Sequence, residues 1–243
     1  MKNRIVAWTR FLCPGFYVIR AESPGHKKRV QATIVMLIAL CLTTTTYAKN
    51  KKRKHTSHHT VKHHIVKYKP NTQTISLSSL PDFDHYPPEV KELVKKALSL
   101  AGSHLRYRYG SSNPSNGGMD CSGTIYYLLH HASDVEPPRQ ADEMYDWIHD
   151  AGNLHEITDN HLDFDKLKPG DLLFWSGTYH TNRKISHVML YLGKNKQQQP
   201  LMFGASNGRS YSSHRINGVS VFDFKLPRES EKAKFKGYGS IPF

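Results

Sequence analysis

The residues best suited to chemistry lie in one short segment, 117–131, which reads GGMDCSGTIYYLLHH. It places Cys121 between an aspartate and a serine, directly before an apolar run with helical spacing. If a helix begins at this cysteine, its free backbone N–H groups and dipole favour the thiolate and can stabilise an oxyanion. The pattern therefore predicts a nucleophilic cysteine, and the alternative is a buried, inert thiol.

A thiol nucleophile needs a base, and this is usually a histidine. The chain has 16 histidines, so only position can select one. His187 lies in ISHVMLYLG, residues 185–193, an apolar run typical of a strand, whereas other histidines lie in polar surroundings or at helix ends. An imidazole in such a strand needs a specific partner. His187 is therefore the candidate base, and the alternative is a core histidine satisfied by the backbone.

Residues 1–48 are predicted to be an N-terminal leader with a secretory signal. A basic flank precedes the apolar run 32–42, and small residues follow it. The run is shorter than the roughly 20 residues of a membrane span, although an uncleaved anchor is the alternative. Cleavage would remove Cys13 and Cys41 and leave Cys121 as the single thiol of an exported protein.

The basic character of the chain belongs to its N-terminal part. The formal net charge is +14, yet residues 70–243 hold equal numbers of acidic and of Lys/Arg residues. This distribution argues against nucleic acid as a partner. Residues 49–87 are predicted to be a basic, histidine-rich, disordered arm and linker. The arm is either a plain solvated linker or a segment that binds an anionic envelope polymer or lipid.

The coarse pattern of elements places helices first and short strands second. Helices are predicted from Pro88 to about residue 101, from Cys121 to about 131, and after Pro138. Strands are predicted in residues 168–175, 185–193, 200–206, 218–224 and 235–241. This order predicts an α+β fold with an antiparallel sheet over residues 88–243.

Four blocks together resemble the NlpC/P60 family of papain-like cell-wall cysteine peptidases. They are YRYGSSNPSNGGMDCSGTIYYLL, PPRQADEMY, LKPGDLLFW and ISHVMLYLG, and they occur in the order and spacing of that family. The resemblance covers about residues 88–243. It implies a papain-like fold that presents the nucleophile at a helix N-terminus, and it implies no cofactor and no metal.

The resemblance also implies a function, that of an exported peptidoglycan hydrolase in the periplasm or cell envelope. Cys121 would be the nucleophile and His187 the general base, acting on stem peptides at the bond between D-glutamate and the diamino acid. Asp120 and Ser122 fall on positions that bind the free amine of the stem, and Tyr107 matches a family tyrosine near the nucleophile whose hydroxyl can donate a hydrogen bond to the substrate. Asp120 can instead cap the helix, and Tyr107 can instead serve in packing.

One position departs from the family pattern. The family usually has a third polar residue on the strand after the base, and Gly204 occupies that place in LMFGASNG. A backbone carbonyl, Ser206, Asn207 or a water can take over the orienting role. The alternatives are a weakened or inactive wall-binding protein, or a cell-wall amidase or acyltransferase that uses the same Cys/His pair.

Overall fold

The computed structural model describes residues 71–159 and 161–243. These residues belong to the second of two compact units, which spans residues 62–243. The predicted signal and the basic run 49–69 lie outside the described residues. Within the described ranges, none of the helices is both long and apolar enough to cross a membrane.

Three α-helices precede most of the strands in the described part of the chain. Helix α1 spans Pro88–Ala101, α2 spans Cys121–Ala132 and α3 spans Ala141–Asp150. Proline suits the first position of α1 because the N–H it lacks would have no partner inside the helix. The apolar residues of α1 that recur with helical spacing are buried. The predictions for α1 and α2 are therefore confirmed to within a residue at each end.

Six strands form an antiparallel sheet in the order β3–β10–β4–β5–β6–β9. This sheet and the preceding helices confirm the predicted α+β fold class. Four short strands lie outside the sheet as two pairs, β1 with β2 and β7 with β8. The strands are β1 (Arg106–Tyr107), β2 (Gly118–Met119), β3 (Leu154–Glu156), β4 (Leu172–Ser176), β5 (His187–Lys194), β6 (Pro200–Ser206), β7 (Ser210–Tyr211), β8 (His214–Arg215), β9 (Gly218–Asp223) and β10 (Lys234–Gly239).

Strand β5 separates two buried layers because its side chains alternate between the faces of the sheet. Val188, Leu190 and Leu192 belong to the apolar cluster that includes α1 and α2. Met189 and Tyr191 belong to the second cluster, on the opposite face. The helix that begins at the candidate nucleophile therefore packs directly on the strand that begins at the candidate base.

The end of the segment predicted as a linker packs on this domain. Leu80 is 2% exposed and joins the core cluster of the helices. The Tyr86 hydroxyl donates a hydrogen bond to the Leu192 carbonyl oxygen at 2.9 Å. The Gln73 backbone N–H donates to Ser220 Oγ at 2.8 Å. Residues 71–87 thus belong to the folded unit, because a few apolar side chains anchor an otherwise polar stretch.

The start of α2 is set by the Asp120 side chain. Its Oδ1 accepts a hydrogen bond from the Gly123 N–H at 2.6 Å, and its Oδ2 accepts one from the Gly110 N–H at 2.8 Å. Asp120 thereby caps the helix and ties the preceding loop to it. A Cβ at position 123 would overlap the Ser111 carbonyl oxygen, so glycine is required where this loop crosses the first turn.

The packing of residues 71–87 predicts that Leu80→Ala destabilises the protein by about 2–5 kcal/mol, the usual cost of truncating a buried leucine. Urea denaturation measures the free energy of unfolding. The control is Gln73→Ala, whose side chain is exposed. Equal stability of Leu80→Ala and the control would show that this segment is an unanchored linker.

The close approach at Gly123 predicts that Gly123→Ala costs about 1–3 kcal/mol, because the clash is with a backbone oxygen and relief requires the loop to move. Gly208→Ala is the matched control, since the nearest atom to its added Cβ lies at 3.7 Å. Thermal or urea unfolding of both variants gives the comparison. A Gly123→Ala variant as stable as the control would refute the close contact.

Candidate active site

Cys121 and His187 line two neighbouring cavities. The Cys121 cavity has a volume of about 370 Å³, and the His187 cavity has a volume of about 790 Å³. Tyr107, Tyr109 and Tyr179 line both cavities. The structure thus brings the candidate nucleophile and the candidate base to one cleft, with three tyrosines between its two halves.

Cys121 is the first residue of α2 and is buried. Burial, and secondly the Asp120 carboxylate, raise the pKa of its thiol to about 11. Hydrogen bonds from the backbone of Val188 and Ser122 act in the opposite direction but do not outweigh these effects. The prediction that the helix end makes this cysteine a thiolate is wrong for the described conformation, because desolvation exceeds the effect of the helix dipole.

His187 is buried at the start of β5, with its ring centroid 5.7 Å from that of Trp175. The imidazole makes no hydrogen bond to Cys121 within the described residues. Its Nε2 lies 3.3 Å from Arg209 Nε, which donates a hydrogen bond to it. Burial, and secondly the charge of Arg209, hold the pKa of His187 well below its usual value. His187 is therefore a neutral imidazole at neutral pH, partnered by an arginine instead of the backbone.

The polar partner of His187 is Arg209 and not a side chain at position 204, where the chain has glycine. The space that a side chain at position 204 would fill is occupied by the Met189 sulfur. Ser206 Oγ accepts hydrogen bonds from the backbone N–H groups of Gly208 and Arg209, each at 3.2 Å, and so holds the turn after β6. No hydrogen bond joins Ser206 or Asn207 to the imidazole; Arg209, at the end of that turn, donates one to it.

Trp175 contacts both His187 and Arg209. Its side chain is fully buried in β4, and Trp175 and His187 are paired residues of neighbouring strands. The guanidinium of Arg209 lies over the indole ring, 4.1 Å from its centroid. An arginine stacked on an aromatic face is held in orientation as well as attracted. Sequence reasoning missed Arg209 and Trp175, because no spacing signal links residue 209 to residue 187.

The residues predicted to bind the free amine of the substrate line the Cys121 cavity. Asp120 and Ser122 both contact Arg139, which donates to Ser122 Oγ at 2.9 Å and to Asp120 Oδ2 at 3.2 Å. The Asp120 carboxylate therefore caps α2, accepts a hydrogen bond from the loop at Gly110 and forms an ion pair with Arg139. Arg139 lies in the wall of the cleft.

Tyrosines form the boundary between the two cavities. Tyr107 on β1 is half-buried, and burial, with the nearby Cys121 and Asp120, raises the pKa of its phenol further above its usual value. Its hydroxyl therefore stays protonated and can donate a hydrogen bond. Tyr109 and Tyr179 form an edge-to-face pair with ring centroids 6.2 Å apart, and they are 75% and 42% exposed. Their exposed rings offer a stacking surface at the mouth of the cleft.

Comparison with known proteins identifies relatives of this region. The chain is 26% identical over 143 residues to the gamma-DL-glutamyl hydrolase of Bacillus subtilis, which is 57% of this chain and 31% of that protein. It is 33% identical over 114 residues to the murein DD-endopeptidase MepH of Escherichia coli, which is 44% of this chain and 37% of that protein. The chain thus spans about a third of the length of these curated relatives.

A solved structure of an NLP/P60 family protein from Staphylococcus aureus, similar to a lipoprotein, matches with a TM-score of 0.43 and 20% identity. The match covers 68% of this chain and 43% of the other. The NlpC/P60 family model matches residues 104–228, about half of the chain. That range contains Cys121, His187, Arg209 and the three tyrosines of the cleft. The predicted α+β, papain-like fold is confirmed, and the chain belongs to the NlpC/P60 family.

Proposed function

We propose that this protein is a cysteine peptidase that cleaves stem peptides of peptidoglycan, with Cys121 as nucleophile and His187 as base. The observation that supports this function is the meeting of α2 and β5 at one cleft. The backbone of Val188, the neighbour of His187, hydrogen-bonds to the Cys121 sulfur. The name of one curated relative, a murein endopeptidase, favours peptidoglycan as the substrate, and the name of the other, a gamma-DL-glutamyl hydrolase, favours a glutamyl bond.

The reaction begins when His187 takes the thiol proton and the sulfur attacks the carbonyl carbon of the scissile amide. The N–H groups in the first turn of α2 stabilise the oxyanion of the tetrahedral intermediate. His187 then gives its proton to the leaving amine, and the C–N bond breaks to leave a thioester on Cys121. A water molecule, deprotonated by His187, attacks the thioester, and the thiol regains its proton as the acid is released.

The bond we propose is that between D-glutamate and the diamino acid. The acyl part of the peptide would occupy the Cys121 cavity, where Tyr107, Asp120 and Ser122 would bind its free amine. Ser122 and Asp120 already contact Arg139, so an ammonium group there competes with a guanidinium for the same oxygens. The leaving part would occupy the larger cavity beside His187, since the imidazole protonates the leaving amine.

A second candidate function is a wall-binding protein that keeps the fold without catalysis. The observation that favours it is the ionisation of the pair: the Cys121 thiol and the His187 imidazole are both neutral at neutral pH, and no hydrogen bond joins them. A cell-wall amidase or acyltransferase with the same pair is the third candidate. Products formed from defined peptides separate all three.

We also propose that the protein is exported to the cell envelope and that residues 49–69 bind an anionic surface there. Eight Lys/Arg residues and no acidic residue lie in this run. Such a charge density attracts anionic polymers and lipid headgroups most strongly at low ionic strength.

Cys121→Ser and His187→Ala are each expected to reduce cleavage of defined stem peptides by about 10³-fold or more, because nucleophile and base act as a unit. Mass spectrometry of the products identifies the bond that is cut. His149→Ala, an exposed histidine at the end of α3, is the control and should retain activity. Near-normal cleavage by Cys121→Ser would overturn the assignment, and wall binding by a wild type that cleaves nothing would favour the second candidate.

Deletion of residues 49–69 is expected to weaken binding to isolated cell walls at low salt and to leave cleavage of soluble peptides unchanged. The reason is that the arm supplies long-range attraction and no part of the proposed cleft. Co-sedimentation at two salt concentrations measures the binding. If the shortened chain binds as well as the full chain at low salt, the arm is only a spacer.

A further inference from the structure

Arg209 is the charged side chain that contacts the candidate base. Its Nε–H donates to His187 Nε2 at 3.3 Å, and its guanidinium lies over Trp175 at 4.1 Å. Burial lowers the pKa of Arg209 to about 10, so the guanidinium keeps its charge at neutral pH. A guanidinium only donates hydrogen bonds. Nε2 must therefore be the acceptor, and the single proton of the neutral ring must lie on Nδ1.

This contact conflicts with the charge that His187 must bear during the reaction. An imidazolium has N–H groups on both nitrogens, so its Nε2 cannot accept from Arg209. Two like charges at 3.3 Å would also repel each other. As long as Arg209 stays on Nε2, His187 cannot become an imidazolium by taking the thiol proton. Catalysis by the Cys121–His187 pair requires the guanidinium to move off the ring.

Arg209 lines the same cavity as His187, and further basic side chains line it as well. Within the described residues, no carboxylate lies at ion-pair distance from this guanidinium. Lys225 and Arg228 line the same 790 Å³ cavity, together with Asp223 and Glu231. Guanidinium and carboxylate match in geometry and form paired hydrogen bonds, a stronger contact than one bond to a neutral imidazole.

We propose that Arg209 is a carboxylate receptor on the leaving-group side of the cleft and a restraint on His187 that the carboxylate releases. The substrate class is then a peptide with a free carboxylate on the part that leaves, close to the scissile bond. Pairing of that carboxylate with the guanidinium draws Arg209 away from Nε2 and frees His187 to accept a proton. This inference rests on the proposed function for its substrate but not for its test.

Lys225, Arg228, Asp223 and Glu231 line the same cavity as His187, but Arg209 is the charge that acts on the pKa of His187. Strand β1 and the loop after β4 contribute the neutral phenols of Tyr107 and Tyr179 to the cavity that His187 lines. The Cys121 thiol at the start of α2 is also neutral. Strand β4 presents the uncharged indole of Trp175. Besides burial, Arg209 is the group that lowers the pKa of His187. Removing the guanidinium therefore raises that pKa.

The test is the alkylation rate of Cys121 by iodoacetamide in the full chain, followed by mass spectrometry of the peptide that contains Cys121. Arg209→Met removes the charge and the donor but keeps an apolar stem to lie on Trp175. The restraint predicts faster alkylation of Arg209→Met at pH 7, by about tenfold for each unit by which the thiol pKa falls once the thiol proton can pass to His187. Arg215→Ala, whose guanidinium bonds the Asn207 carbonyl instead of His187, is the control and should match the wild type.

Slower alkylation of Cys121 in Arg209→Met than in the wild type would overturn the proposal. If Arg209 acted only as a positive charge near the sulfur, its removal would destabilise the thiolate and slow the alkylation. Unfolding curves of Arg209→Met and of the control establish that both are folded. An NMR titration of His187, assigned by its loss in His187→Gln, should give a higher pKa in Arg209→Met; an unchanged pKa would also contradict the restraint.

The carboxylate is tested with N-acetylglycine and its uncharged analogue N-acetylglycinamide at equal ionic strength. N-acetylglycine is expected to speed Cys121 alkylation in the wild type, and neither compound should affect Arg209→Met. An equal response to both compounds, or an equal response of both proteins, would refute the receptor. These measurements need no peptide cleavage, so a wild type that cleaves no stem peptide overturns the proposed function and leaves them standing.

Discussion

The geometry of the cleft depends on the hydrogen bonds to the Asp120 carboxylate. Its two oxygens accept from the first turn of α2, from the loop at Gly110 and from Arg139. These contacts determine where the helix begins, and therefore where the Cys121 sulfur lies. The same carboxylate lies beside that sulfur and disfavours its negative charge. A group that positions the candidate nucleophile thus also helps burial to keep it protonated, and the proposed reaction must overcome this.

The six-stranded sheet positions the side of the cleft that contains His187. Trp175 and His187 are neighbours across β4 and β5, so the register of these strands places the imidazole on the indole. Arg209 adds a cation–aromatic contact to the same indole. One buried ring therefore supports both the candidate base and the residue that controls its proton. Because Trp175 is buried in the second apolar cluster, core packing fixes the position of the indole.

Hydrophobic patterns and turn residues predicted the main elements. Helix α1 buries apolar residues with helical spacing, and β5 and β6 are almost continuously buried runs. These patterns did not predict β1 and β2, which have two residues each and show no periodicity. Cys121 and His187 were identifiable because their neighbours form recognisable blocks. Arg209 was not, since its contact to His187 depends on how the turn after β6 folds back. The protonation of Cys121 was predicted wrongly, because local sequence shows a helix end but not the burial that tertiary packing imposes.

The lack of a side chain at Gly204 means that the partner of His187 does not come from that position of the sheet. With no side chain at 204, the Met189 sulfur fills the space beside β6, and the sheet offers no polar group there to hold the imidazole. The partner of His187 comes instead from a turn, through a side chain that is itself half-buried at a cavity wall. A polar group fixed in a strand would orient the ring permanently. A guanidinium at a cavity wall orients it only until a stronger acceptor arrives, so the state of the base depends on what binds beside it.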